Sequence, residues 1–86
     1  MTVYSVVATA HKTLMEQAIQ RNYGPLDYFR ISDGVWFVSS AIPTPRDLGQ
    51  QLAPNNECGT FLITSISGYY GFYAPDLWDW LKSKGL

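Results

Sequence analysis

The pair Asp33-Gly34 constrains this chain more than any other feature, because it lies between two strand-forming runs at 26–32 and 35–40. An Asp-Gly dipeptide suits the positive φ angles of a type I′ turn, the commonest two-residue connection of a β-hairpin. The pair therefore predicts antiparallel neighbours and fixes which residues face each other across them. Any fold for this chain has to be built around that hairpin.

The surrounding segments extend the pattern. Residues 2–9 (TVYSVVAT) are rich in β-branched side chains and read as a buried strand. Thr13 followed by Glu16 has the spacing of a capping box, and Leu14, Met15, Ala18 and Ile19 then form an apolar stripe at helical spacing. Residues 22–25 end that helix. After the hairpin, Thr44-Pro45-Arg46-Asp47 offers an N-cap hydroxyl, a proline at the first helical position and an acid in the first turn. Leu48 and Leu52 supply the buried side of this second helix, which Pro54 stops. Residues 60–67 (TFLITSIS) read as a fourth strand, and Pro75-Asp76 opens a last helix through Leu77, Trp78 and Leu81. Lys82 and Lys84 suit its C-terminal dipole, and Gly85 suits the position after its cap. Trp78 and Leu81 share the face expected to pack on the domain, with Trp80 pointing elsewhere. Strand, helix, strand, strand, helix, strand is the order of the split βαβ arrangement. The expected class is α+β: a ferredoxin-like βαββαβ fold in one domain over residues 1–86, with a four-stranded antiparallel sheet, two helices on one face and a C-terminal helix.

Size and composition limit what such a domain can do. A chain of 86 residues buries only roughly 60–65% of its unfolded surface and is marginal alone. Cys58 is the only cysteine, so no internal disulfide is available and a reduced, cytoplasmic setting is expected. One Cys and one His do not make a zinc site. With hydrophobic residues at 47% and charged residues at 15%, oligomerisation is the expected supplement, as a homodimer. The opening MTVYSVVATA has neither a basic n-region nor a long apolar run, so no leader or membrane span is expected there. The net charge of −1 and the scatter of the six cations give no basic stripe for nucleic acid.

Candidate chemistry is sparse. His11 and Cys58 would form a nucleophilic pair only if folding brought them within hydrogen-bond reach; a structural cysteine is the simpler reading. Most carboxylates have local duties, Glu16 and Asp47 at helix starts, Asp33 in a turn and Asp76 near a helix N-terminus. Gly68-Tyr69-Tyr70-Gly71 has neither the phosphate-loop nor the dinucleotide spacing. No catalytic or metal-binding residues and no cofactor are expected.

The aromatic close of the chain remains. Tyr69, Tyr70, Phe72, Tyr73 and Trp80 are candidates for a dimer or partner surface. Stacking a base on an exposed ring contributes about 1–3 kcal/mol. Burying a ring removes roughly 150–250 Å², which contributes on the order of 4–6 kcal/mol as an upper estimate. Packing and protein contact therefore outweigh nucleobase stacking for a marginal domain.

With the opening VYSVVAT strand, GVWFVSS around Trp36, TPRDLGQQL, NECGTFLITSIS and PDLWDWLK in place, the chain resembles the small ferredoxin-like proteins related to the CRISPR-associated adaptation subunit, in particular the SinR-like branch. The resemblance implies a homodimer built on the sheet. In some CRISPR-associated members it implies a divalent-metal nuclease with an aspartate at the end of the first strand. Here Thr9 holds that position, and no acid follows until Glu16. The leading expectation is a non-catalytic interaction or adaptor module with a protein partner. The alternative is a nucleic-acid-binding protein or metal-dependent endonuclease of the CRISPR-associated type, and a third reading is a small-ligand site between sheet and aromatic loop. Thr9, His11 and Cys58 are the remaining candidates for chemistry.

Overall fold

A computed structural model describes all residues, 1–86. Seven elements follow in the order β1 (Thr2–Ala8), α1 (Lys12–Asn22), β2 (Tyr28–Ser32), β3 (Val35–Ser40), α2 (Pro45–Leu52), β4 (Phe61–Ile66) and α3 (Pro75–Ser83). The four strands form one sheet in the order β2-β3-β1-β4, with every neighbouring pair antiparallel. This is the ferredoxin-like α+β arrangement that the sequence predicts.

The register sorts the side chains into two layers, because successive strand residues point to opposite faces. Tyr4, Val6 and Ala8 face the same way as Trp36 and Val38, and they pack with Met15, Ala18 and Ile19 of α1 and Leu48 and Leu52 of α2. The opposite face carries Val3, Phe29, Phe37 and Ile66, and α3 lies against it through Leu77 and Leu81. The sheet is thus covered by α1 and α2 on one side and by α3 on the other. Tyr23 ties the first layer together: its hydroxyl bonds the Ser40 Oγ (2.7 Å) and donates to Gln51 Oε1 (2.7 Å), while Ser40 Oγ accepts from Ile42 N–H.

The two later helix boundaries are those the sequence signals. Thr44 is the N-cap of α2 and its Oγ1 accepts from Asp47 N–H at 3.1 Å, with Pro45 at the first helical position. At the end of α3, Gly85 has φ 86°. Its N–H donates to Lys82 O (3.0 Å), and Leu86 N–H donates to Leu81 O (3.1 Å). These are the two bonds of a Schellman motif.

Two local expectations are corrected. Gly34 has φ 81° but Asp33 does not take a positive φ, so the hairpin turn is not type I′, which needs both. The register of β2 against β3 also shifts between Arg30 and Ser32. Nor is Thr13 an N-cap: α1 begins at Lys12 after His11, whose φ of 49° reverses the chain, and no side chain caps the helix. The reversal has to occur at once because Thr9 is still held to β4 by its N–H on Thr60 O (3.1 Å). Thr13 therefore falls inside the first turn. Leu14 is also left partly exposed, with the buried side formed by Met15, Ala18 and Ile19.

Candidate functional site

The residues singled out in the sequence fall into two separate regions. At the top of β1, the Thr9 hydroxyl bonds the Thr60 hydroxyl at 2.6 Å and contacts Thr60 O at 3.2 Å. The strand end is thereby closed by a pair of threonines. The hairpin turn that bonds Ala8 through Gly34 O carries Asp33, and that carboxylate is engaged by Lys12 at 3.2 Å and Arg30 at 3.7 Å. No group of three or more His, Cys, Asp or Glu side chains stands close enough to hold a metal ion.

His11 and Cys58 are nearer than their separation in sequence suggests. The His11 ring lies over Gly59, and its Cδ2 is 2.7 Å from where a Cβ on that glycine would be. Cys58 is nevertheless 1% exposed and belongs to the buried cluster that also holds Met15 and Leu52, and no hydrogen bond joins its thiol to His11. Burial pushes the thiol pKa up, and the neighbouring Glu57 charge pushes it in the same direction, against a smaller opposing effect of Arg21. A protonated, buried thiol without a hydrogen bond to the imidazole is a packing group rather than a nucleophile. Glu57 itself is held below the usual carboxylate range by backbone N–H groups, including that of Asn55 at 3.0 Å.

The second region is the aromatic close. Between β4 and α3, residues 67–74 form no regular element. Their side chains are anchored at both ends. Tyr69 stacks on Trp78 with centroids 5.7 Å apart and planes 9° from parallel. The Tyr73 hydroxyl donates to the Ile31 carbonyl of β2. Between these anchors, Tyr70 and Phe72 are each 103% exposed, so neither side chain is covered by the rest of the chain.

Trp80 does not point away from the domain. It packs on Phe29 (6.1 Å between centroids), its Nε1–H donates to Leu26 O (3.0 Å), and Lys84 Nζ lies 5.6 Å from its ring centre. The cause is that α3 crosses a sheet face rich in large apolar groups, so Leu77, Leu81, Trp78 and Trp80 all find partners there. Lys84 completes the attachment with an ion pair to Asp27 at 3.1 Å.

Charge is dispersed around both regions. Lys12, Arg30 and Lys84 are in ion pairs, leaving Arg21, Arg46 and Lys82 unpaired on separate helices. No helix is long and apolar enough to cross a membrane. No family model matches the chain, and neither a curated protein nor a solved structure matches it.

Proposed function

We propose that the chain is a cytoplasmic homodimeric interaction or adaptor module without catalytic chemistry of its own. The observation that carries this reading is the presentation of Tyr70 and Phe72, which are fully exposed between the anchored Tyr69 and Tyr73. A loop anchored at both ends has less backbone freedom to lose on association than a free one. Each ring that becomes buried in a partner removes roughly 150–250 Å² from water. Aromatic residues are enriched in interface cores for that reason.

Light scattering coupled to size exclusion tests the reading. The wild-type chain is expected to run as a dimer at micromolar concentration, and the Tyr70→Ser, Phe72→Ser double variant as a folded monomer with an unchanged far-UV spectrum. A monomeric wild type would refute the homodimer.

A second reading draws on the same exposed rings. Tyr70 and Phe72 offer free faces on which successive bases of a single strand could stack. Such binding also needs a cationic track, and half the cations are already paired within the chain. Fluorescence titration with single-stranded RNA and DNA, together with a cleavage assay in Mg²⁺ or Mn²⁺, separates this reading from the first. Metal-dependent cleavage would overturn the non-catalytic proposal.

A further inference from the structure

The two edges of the sheet are treated differently. On the β2 edge the register shifts between Arg30 and Ser32, a charged side chain lies in the strand, and Tyr73 occupies the Ile31 carbonyl. Bulges, charges and covering groups are the devices that keep an edge strand from pairing further. The β4 edge has none of them: residues 60–67 (TFLITSIS) contain no charge and no proline.

The free groups on that edge follow from the ladder. Thr9 N–H donates to Thr60 O, so Thr60 is turned towards β1. By the alternation of a strand, Leu62, Thr64 and Ile66 are turned the same way, and Phe61, Ile63 and Ser65 point outwards. No hydrogen bond from a turn, loop or cap reaches the N–H or C=O of these three residues. They form an unpaired ladder over a six-residue strand, about 20 Å long.

Beside this ladder lies an open trough of about 340 Å³ between α2 and β4, lined by Pro45, Arg46, Gly49, Gln50, Ala53 and Phe61 among others. Gly49 keeps it open. A Cβ there would already stand 3.5 Å from Phe61 and 3.6 Å from Ile63, and the glycine leaves those side chains as an apolar floor. Arg46 is the only charged residue in the lining, and no carboxylate of the chain pairs with it.

We propose that the trough is a strand-addition site for an extended segment of another protein, carrying an apolar residue over Phe61 and a carboxylate against Arg46. Main-chain hydrogen bonds to Phe61, Ile63 and Ser65 supply affinity, and the alternate side chains supply specificity, as in other cases of β-augmentation. A second copy of the chain is a poorer occupant. Its own β4 is uncharged and brings no carboxylate to Arg46. This inference rests on the adaptor reading and names the partner's chemistry, while using a surface distinct from Tyr70 and Phe72.

The test is selection of a displayed random octapeptide library on the full chain, followed by affinity measurement with the enriched peptides. Enriched sequences are expected to alternate apolar residues and to include Asp, Glu or a C-terminal carboxylate. Their binding should slow amide exchange at Phe61, Ile63 and Ser65. Ser65→Pro removes only an outward N–H from an exposed edge position and should weaken binding tenfold or more. Arg46→Glu, at an exposed and unpaired site, should weaken it similarly and shift selection towards basic peptides. Absence of enrichment over the bare support would overturn the proposal, as would enriched peptides that bind both variants unchanged. So would loss of the wild-type dimer in Ser65→Pro, which would assign the edge to a second copy. The dimer reading is judged separately, by scattering of the Tyr70 and Phe72 variant.

Discussion

Replacing Gly34 with alanine measures how tightly the hairpin is pressed against the central strand. Gly34 has φ +81°, and an L-residue in that region costs roughly 1–2 kcal/mol. An added Cβ would also stand 2.7 Å from the backbone oxygen of Ala8. The backbone has to move to relieve that contact, and the movement falls on the Ala8 N–H to Gly34 O bond of 2.7 Å. Such a bond contributes about 0.5–1.5 kcal/mol. The combined loss is about 1.5–3.5 kcal/mol, a large part of the ~5–15 kcal/mol that stabilises a typical domain. At about 4–8 °C per kcal/mol for a chain of this size, the melting temperature should fall by roughly 6–28 °C. Two other glycines resolve the components. Gly85 has a similar φ of +86° with nothing within 4 Å of its would-be Cβ, so Gly85→Ala carries the conformational cost alone. Gly24 has neither constraint, and Gly24→Ala should be neutral or slightly stabilising. Thermal and urea melts of the three variants provide the comparison. Equal losses at Gly34 and Gly85 would refute the reasoning, because the close approach to Ala8 would then cost nothing.

Three further outcomes are expected. Ser39 is 1% exposed and its hydroxyl has no hydrogen-bond partner, so Ser39→Ala should stabilise by about 1 kcal/mol or more, read as a higher urea midpoint. Thr44→Ala removes the α2 cap to Asp47 N–H and should cost about 1 kcal/mol in the same assay. Because the Cys58 pKa is raised by folding, its contribution is fully present below the thiol's ordinary value and is lost as pH rises towards the folded value. Stability should therefore fall more steeply at alkaline pH in the wild type than in Cys58→Ala. A parallel pH dependence in the two proteins would count against the buried thiol.

The parts of the fold that were legible in the sequence are those set by local chemistry. The Asp33-Gly34 connection, the Thr44-Pro45 helix start and the Gly85 helix end each depend on residues within a few positions of one another. At the N-terminus of α1, Thr13 and Glu16 carry a good local signal that the chain's reversal at His11 overrides. In the hairpin Ser32 and Val35 pair across the dipeptide as its length requires, while the turn type and the shift between Arg30 and Ser32 are not legible from it. Non-local features were not legible. The periodicity of PDLWDWLK shows large apolar groups on several sides of a helix, but not that Phe29 and Leu26 lie ready for Trp80. The β4 edge was hidden for a related reason. An uncharged strand reads the same in the middle of a sheet as at its margin, and only strand order shows which ladder lacks a neighbour.

The position of β1 has a consequence for how the protein is made. β1 lies inside the sheet, between β3 and β4, yet it precedes both in the chain. At synthesis rates of about 5–20 residues per second, the last residues of β4 follow those of β1 by roughly 3–12 s. The most enclosed strand is therefore the one that waits longest for its neighbours. The face bearing Val3, Phe29, Phe37 and Ile66 waits longer still, because α3 comes last. A nascent chain halted before Pro75 would display that apolar face uncovered, which is the kind of surface that chaperones and proteases recognise in incomplete products.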